Sequence, residues 1–233
     1  MSDRPVMIEA AGTTPQLRRL YDARSRTYRA TIERLEAKPR RLALERADIR
    51  PRDRVVEVAV GPGAALVELA RSVDPDVPVV GLDLSEGMLR QAARRVAEAG
   101  LANVELVQGD ARALPFTDGS FDVVFNAYML DLIRLADMPT VLGEFHRVLR
   151  PGGRLVLLNL SKRDPTRLTW FERLYRALPR RWTPYVVGAC RPVAMADGVA
   201  AARFEDITRT YVPNWLPAEI ITARRPSAGA LGE

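Results

Sequence analysis

The residues best suited to chemistry sit at three places where a short apolar run gives way to glycine or acid. The first is Glu57-Val58-Ala59-Val60-Gly61-Pro62-Gly63. Gly61 and Gly63 allow a tight turn and close approach to a ligand, and a helix starting after them offers unpaired N–H groups. The second is Gly81-Leu82-Asp83. A carboxylate there can accept both hydroxyls of a ribose, or favour the start of a helix as a simple acid. The third is Gln108-Gly109-Asp110-Ala111, where Asp110 can take a hydrogen bond from an adenine amino group or cap a turn. A dinucleotide site would want a glycine where Leu66 stands and would have no use for Glu57. Taken together, the three acids describe a pocket for a cationic adenosine ligand, because they would repel a pyrophosphate.

Those positions need elements to hold them. From residue 54 onward short β-like runs alternate with helical patterns. Val55–Val58, Val77–Leu82, Val104–Val107, Phe121–Asn126 and Leu155–Leu160 read as strands. Helices are expected over about 64–73 and 86–99, the latter capped by Ser85 and stopped by Gly100. Another carries Met138, Val141, Leu142, Phe145, Val148 and Leu149 on one face and ends at Pro151-Gly152-Gly153. A helix near 167–178 and an irregular stretch precede two last strands, Ile207–Val212 and Glu219–Ala223. The link between those strands is too short for a crossover, so one should run antiparallel. The fold class is therefore α/β: a Rossmann-like, doubly wound, mostly parallel seven-stranded sheet with one antiparallel strand near the C-terminus. Residues 15–37 and 40–49 read as arginine-rich helices separated by Pro39, an N-terminal helical lid. Residues 1–50 form this lid and 51–233 the main domain, with 161–203 as a substrate-side insertion in a single globular unit.

Composition narrows the class. The chain has 233 residues, of which 47% are hydrophobic and 27% charged, ordinary values for a globular protein. One cysteine, Cys190, and one histidine, His146, exclude a disulfide scaffold and any centre built from several of either, so no metal is expected. His146 lies beside core Phe145 and Cys190 beside Arg191-Pro192, and structural roles are preferred for both. The net charge is +6, with lysine only at Lys38 and Lys162 and arginine supplying the rest of the positive charge. The start of the chain lacks the apolar core of a signal peptide, no 18-residue apolar run occurs, and a cytoplasmic protein is expected.

The segments Val55–Gly63, Val80–Met88, Gly109–Val124 and Arg147–Leu155 resemble the successive motifs of class I S-adenosylmethionine-dependent methyltransferases. Gly81-Leu82-Asp83-Leu84-Ser85-Glu86-Gly87-Met88-Leu89 is most similar to the ubiquinone/menaquinone-biosynthesis type. The resemblance implies S-adenosyl-L-methionine as cofactor, S-adenosyl-L-homocysteine as product, and no metal. It places the methionine moiety against Glu57, Ala59, Gly61 and Gly63, the ribose on Asp83 beside Leu84, and the adenine on Met88, Asp110 and Ala111. It puts Asn126 near the transferable methyl and Tyr21 over the bound cofactor, with Tyr28 a turn or two later. Ala59 stands at the family's usual first glycine. Residues 127–132 do not match the substrate loop of the quinone enzymes.

Methyl transfer from a sulfonium needs positioning above all, and an oxygen or carbon acceptor also needs a base. Asp131 and Tyr128 are the candidates, with a helix cap for Asp131 and a core position for Tyr128 as the plainer alternatives. The expected activity is methylation of a small lipophilic or aromatic acceptor. A phospholipid or nucleic-acid methyltransferase and a non-catalytic adenosine-ligand-binding protein are the alternatives. No appended RNA-binding module supports a nucleic-acid partner. Trp170, Phe171, Leu174, Tyr175 and Leu178 lie among Arg167, Arg173, Arg176, Arg180 and Arg181. This is either a peripheral membrane segment or, preferably, a packed helix with a solvated basic face.

Overall fold

Val55–Val58 (β1) is buried along its whole length, as a strand covered on both faces must be. It lies inside a seven-stranded sheet in the computed structural model, which describes residues 5–11, 15, 16, 19, 22, 32–179, 190–213 and 217–227. The other strands are β2 (Val79–Asp83), β3 (Val104–Gln108), β4 (Phe121–Ala127), β5 (Leu149–Leu160), β6 (Glu205–Val212) and β7 (Ala218–Arg224). Their order is β3-β2-β1-β4-β5-β7-β6. Pairings from β3 across to β5 are parallel, and β7 is antiparallel to both of its neighbours. Six strands therefore point one way and only β7 the other. The chain order reverses between β1 and β4, and at such a switch point an open α/β sheet opens a crevice at its carboxyl edge. The register pairs Val58 with Leu82 on one side and Asn126 on the other, which brings the ends of β1, β2 and β4 level.

Helices cover both faces: α1 (Ile32–Ala47), α2 (Ala64–Ser72), α3 (Glu86–Glu98), α4 (Met138–Val148), α5 (Trp170–Ala177) and α6 (Ala196–Ala201). The pleat divides the core. Val55, Val79, Val123, Phe125, Val156 and Leu158 meet α1, α2 and α3, while Val56, Val58, Val124, Leu155 and Leu157 meet α4 and α6. Ser85 caps α3, its Oγ accepting from Met88 N at 3.2 Å, and Gly100 beyond the helix has φ +67°.

Three expectations need correction. Pro39 does not separate two helices but lies inside α1. An interior proline costs roughly 3 kcal/mol. Tertiary contacts outweigh it here: Ala43 and Ala47 are fully buried, buried Arg154 donates to Ala47 O at 3.2 Å, and Glu33 pairs with Arg95 at 2.9 Å. Second, β5 begins at Leu149 rather than Leu155, because Leu149 already pairs with Phe121. Third, α6 occupies part of the stretch expected to be irregular, its Val199 wholly buried in the core.

The segment 5–11 lies along residues 161–195. Val6 N donates to Pro165 O at 2.8 Å, and Lys162 Nζ donates to Val6 O at 2.7 Å while pairing with buried Glu172 at 2.8 Å. Fully buried Arg191 gives its guanidinium to the carbonyls of Ile8, Asp131 and Ile133. Among the described residues no helix is long and apolar enough to cross a membrane.

Candidate functional site

At the carboxyl edge of β1, β2 and β3 the chain leaves a cleft of about 1320 Å³, counting its open mouth. Its lining draws on all three strand ends, with Glu57, Asp83 and Asp110 among the residues that face it.

The floor is stitched by Asp83. Its Oδ2 accepts from Gly61 N at 2.9 Å and its Oδ1 from Ser85 N at 2.8 Å. Ala59 N and Val60 N donate to Leu82 O at 2.7 and 3.1 Å. Burial pushes the Asp83 carboxyl up to about 6, against the hydrogen bonds from Ser85 and Gly61. Ala59 has φ +62°, in the left-handed region. That explains why glycine is the usual occupant: a Cβ there costs on the order of 1–2 kcal/mol.

Glu57 follows the pleat of Val55 toward the α1 side, where Arg40 is the nearby cation. It is 2% exposed, and its Oε2 is buried without a hydrogen-bond partner among the described residues. Burial raises its carboxyl well above the usual range; Arg40 opposes the rise and Asp83 adds to it. A buried acceptor without a donor costs on the order of 1–3 kcal/mol. A ligand carrying an ammonium or a positive sulfur would relieve it.

Asp110 lines the cleft with its carboxylate held by Arg112 at 2.6 Å, which keeps it ionised and below the usual carboxylate range. Leu84, Met88 and Ala111 also line the cleft, Met88 and Ala111 with almost no exposure. Ala59 and Gly61 complete the expected set that the structure brings together.

Two expected cofactor residues do something else. Gly63 does not line the cleft. It has φ +80°, and a Cβ on it would lie 3.0 and 3.1 Å from Ala92 Cα and Cβ, so its smallness lets α2 start close against α3. Asn126 shares the pleat face of Val124, turned away from α1, and is fully buried outside the cleft lining. Its Nδ2 donates to Val58 O at 2.7 Å, tying β4 to β1. Tyr21 and Tyr28 lie outside the described residues. Their neighbour Asp22 accepts from Ser85 Oγ at 2.5 Å and Gly87 N at 3.1 Å, which ties Asp22 to the start of α3.

Of the two candidate bases, Asp131 is wholly buried and does not line the cleft. Its Oδ2 accepts from Leu160 N at 3.3 Å, and burial raises its carboxyl to about 7. Tyr128 does line the cleft, with φ +54°, but burial and the neighbouring Glu36 raise its hydroxyl above its usual range. Its protonated hydroxyl can donate a hydrogen bond into the cleft. The missed residue is Glu36. With Glu33 and Arg40 it faces the cleft from α1, at the i, i+3, i+7 spacing that shares one helix face. Burial raises its carboxyl to about 8, against Arg40, with Asp131 and Glu33 adding to the rise. That spacing was visible in the sequence, but only the fold shows that this face meets the strand ends.

His146 packs edge-on against Phe204 with ring centroids 5.2 Å apart, a structural position.

Residues 55–153 match a family described as a methyltransferase domain. A demethylmenaquinone methyltransferase of Geobacillus kaustophilus is 40% identical over 132 residues, covering 57% of this chain and 54% of that protein. A ubiquinone/menaquinone biosynthesis C-methyltransferase of Teredinibacter turnerae is 35% identical over 153 residues, covering 65% of this chain and 59% of that protein. The matched stretch spans little more than half the length of these relatives. Among solved structures, the cyclase SpnF superposes with a TM-score of 0.74 at 20% identity, over 97% of this chain and 100% of that one, which shows the shared fold.

Proposed function

We propose, on the premise that residues 55–153 are a methyltransferase domain, that the chain transfers a methyl group from S-adenosylmethionine to a ring carbon of a reduced, prenylated quinone. The single observation that carries the donor is the Oε2 of Glu57, without a partner among the described residues and buried in a cleft whose carboxyls outnumber its arginines. The quinone follows from the two similar enzymes, whose names give demethylmenaquinone and ubiquinone/menaquinone biosynthesis.

When bound, S-adenosylmethionine supplies an electrophilic methyl on a positively charged sulfur. Glu57 takes the ammonium of the methionine end, and Arg40 balances the carboxylate. Asp83 keeps lone pairs beyond those used by Gly61 and Ser85, and these accept the ribose hydroxyls. Met88, Leu84 and Ala111 form the apolar seat of the adenine, with Asp110 at its amino edge.

Glu36 receives the hydroxyl proton of the quinol. A positive sulfur in the cleft would favour the ionised carboxylate and lower its raised pKa, so the base is ready when donor and acceptor are both present. Loss of that proton would put electron density on the ring carbon that takes the methyl; that carbon would then give up its own hydrogen as the ring oxygen regains one, so the net proton released is the one held by Glu36. Met129, Leu132 and Ile133 give the acceptor end apolar walls. Tyr128 donates a hydrogen bond there.

The test is incubation of the purified chain with methyl-labelled S-adenosylmethionine and a reduced demethylated naphthoquinone. Label in the quinone ring, with one S-adenosylhomocysteine formed per methyl, is expected. Label in added phospholipid or RNA and none in the quinone would overturn the acceptor.

A further inference from the structure

The exposed large apolar residues among those described are Val6, Trp170 and Leu174, on α5 and the segment 5–11 bound just before it. Val6 is bound at the backbone to Pro165 and to the Lys162 ammonium, a few residues before α5. Trp170 and Leu174, at i and i+4, share one side of α5 and are 76% and 43% exposed. The helix is inverted relative to an ordinary surface helix. It turns Glu172 and Tyr175 inward and leaves its tryptophan and leucine in water. A groove whose lining includes Val6, Ile8, Glu9, Tyr175, Arg176 and Leu178 joins the segment 5–11 to α5.

Arg163, Arg167, Arg173 and Arg176 are exposed in and just before α5; of the acids close by, Asp164 is engaged with Thr166 and Arg167, and Glu9 accepts from Leu135 N at 3.2 Å. Glu172 is neutralised in the interior by Lys162. α5 is also held firmly enough to act as a platform. Thr169 and Glu172 form a reciprocal capping box, and Tyr175 Oη accepts from Ala11 N at 2.9 Å. A protein keeping only a few large apolar residues in water has no packing reason to collect them among arginines. A tryptophan and aliphatic side chains beside exposed arginines are the chemistry that inserts at the headgroup boundary of a bilayer carrying negative charge.

We infer that the face formed by Val6, Trp170 and Leu174 with Arg163, Arg167, Arg173 and Arg176 docks on an anionic lipid bilayer. The apolar side chains enter the acyl boundary, and the arginines lie at the level of the phosphates. The inference stands on this surface alone and does not depend on the quinone.

The full chain is sedimented with vesicles of phosphatidylcholine alone and of phosphatidylcholine with phosphatidylglycerol. Binding to the anionic vesicles, weakened by salt, is expected, with little binding to the neutral ones. Arg173→Glu with Arg176→Glu should weaken vesicle binding by roughly thirtyfold or more. Trp170→Ser with Leu174→Ser should abolish the salt-resistant part. Binding of S-adenosylmethionine by calorimetry reports on the cleft separately and should be unchanged in both variants, which also shows that they are folded. Equal partition to neutral and anionic vesicles, or wild-type partition by both variants, would overturn the assignment. So would binding of RNA by this face with no vesicle binding.

Discussion

Replacing Glu36 by Gln separates its cost in the fold from its use in the reaction, because the two effects have opposite sign. The carboxyl is raised from the usual 4.5 to about 8 by burial. Between those values the folded chain holds a proton that the unfolded chain has released, so stability falls as pH rises, at about 1.4 kcal/mol per pH unit. Below pH 4.5 both states are protonated and nothing is lost. At pH 7 the accumulated cost is about 3 kcal/mol, an upper value because the residue retains some contact with solvent. Glu36→Gln cannot ionise and does not carry this cost. Urea unfolding at pH 5 and pH 8 should therefore show the variant close to wild type at pH 5 and more stable at pH 8 by a few kcal/mol. Its methyl-transfer rate should fall by on the order of 10²–10⁴-fold, the span of a lost general base. A variant less stable than wild type at pH 8 would mean that Glu36 is ionised and paired, and the reasoning would fail. A stabilised variant with undiminished turnover would leave the cost intact and remove the role.

Other outcomes follow from neighbouring residues. Gly63→Ala should cost about 2–3 kcal/mol by urea unfolding, from the left-handed backbone and the contact with Ala92, whereas Gly61→Ala, with open space around its Cβ, should cost about 1 kcal/mol. Asp131→Asn should keep the wild-type turnover in steady-state assays, since the residue lies outside the cleft lining; a loss on the scale of 10²-fold would restore it as the base. Trypsin should cleave the N-terminal 50 residues more slowly when S-adenosylmethionine is present. Gly87→Val, whose side chain would displace Asp22, should abolish that protection, and equal cleavage of wild type with and without donor would refute a closing N-terminal lid.

Much of the sheet was legible because parallel strands buried on both faces read as near-continuous apolar runs, and Val55–Val58 and Phe121–Ala127 are such runs, interrupted only by Glu57 and by Asp122 and Asn126. Ser85 and Gly100 marked the ends of α3 through local chemistry that needs no partner. What depended on distant contacts was not legible. Pro39 signals a break, and only the packing of Ala43 and Ala47 overrides it. Glycine and asparagine at strand ends suggest ligand contact whether or not they make it. Gly63 instead admits Ala92, and Asn126 instead bridges β1 and β4. Glu36 escaped notice because α1 lies outside the motif-bearing segment. Its face becomes part of the site only when the helix folds back over the strand ends.

The proposed donor site is an acidic cleft that would take a cationic adenosine ligand through Glu57. Isothermal calorimetry at pH 7 with S-adenosylmethionine, S-adenosylhomocysteine and NAD tests it most directly, using wild type and Glu57→Gln. Wild type should bind both sulfur ligands and not NAD. Glu57→Gln should lose on the order of 10–100-fold in affinity, the scale of one charge-assisted contact. Binding of NAD in place of the sulfonium ligand, or undiminished S-adenosylmethionine affinity in Glu57→Gln, would contradict the account.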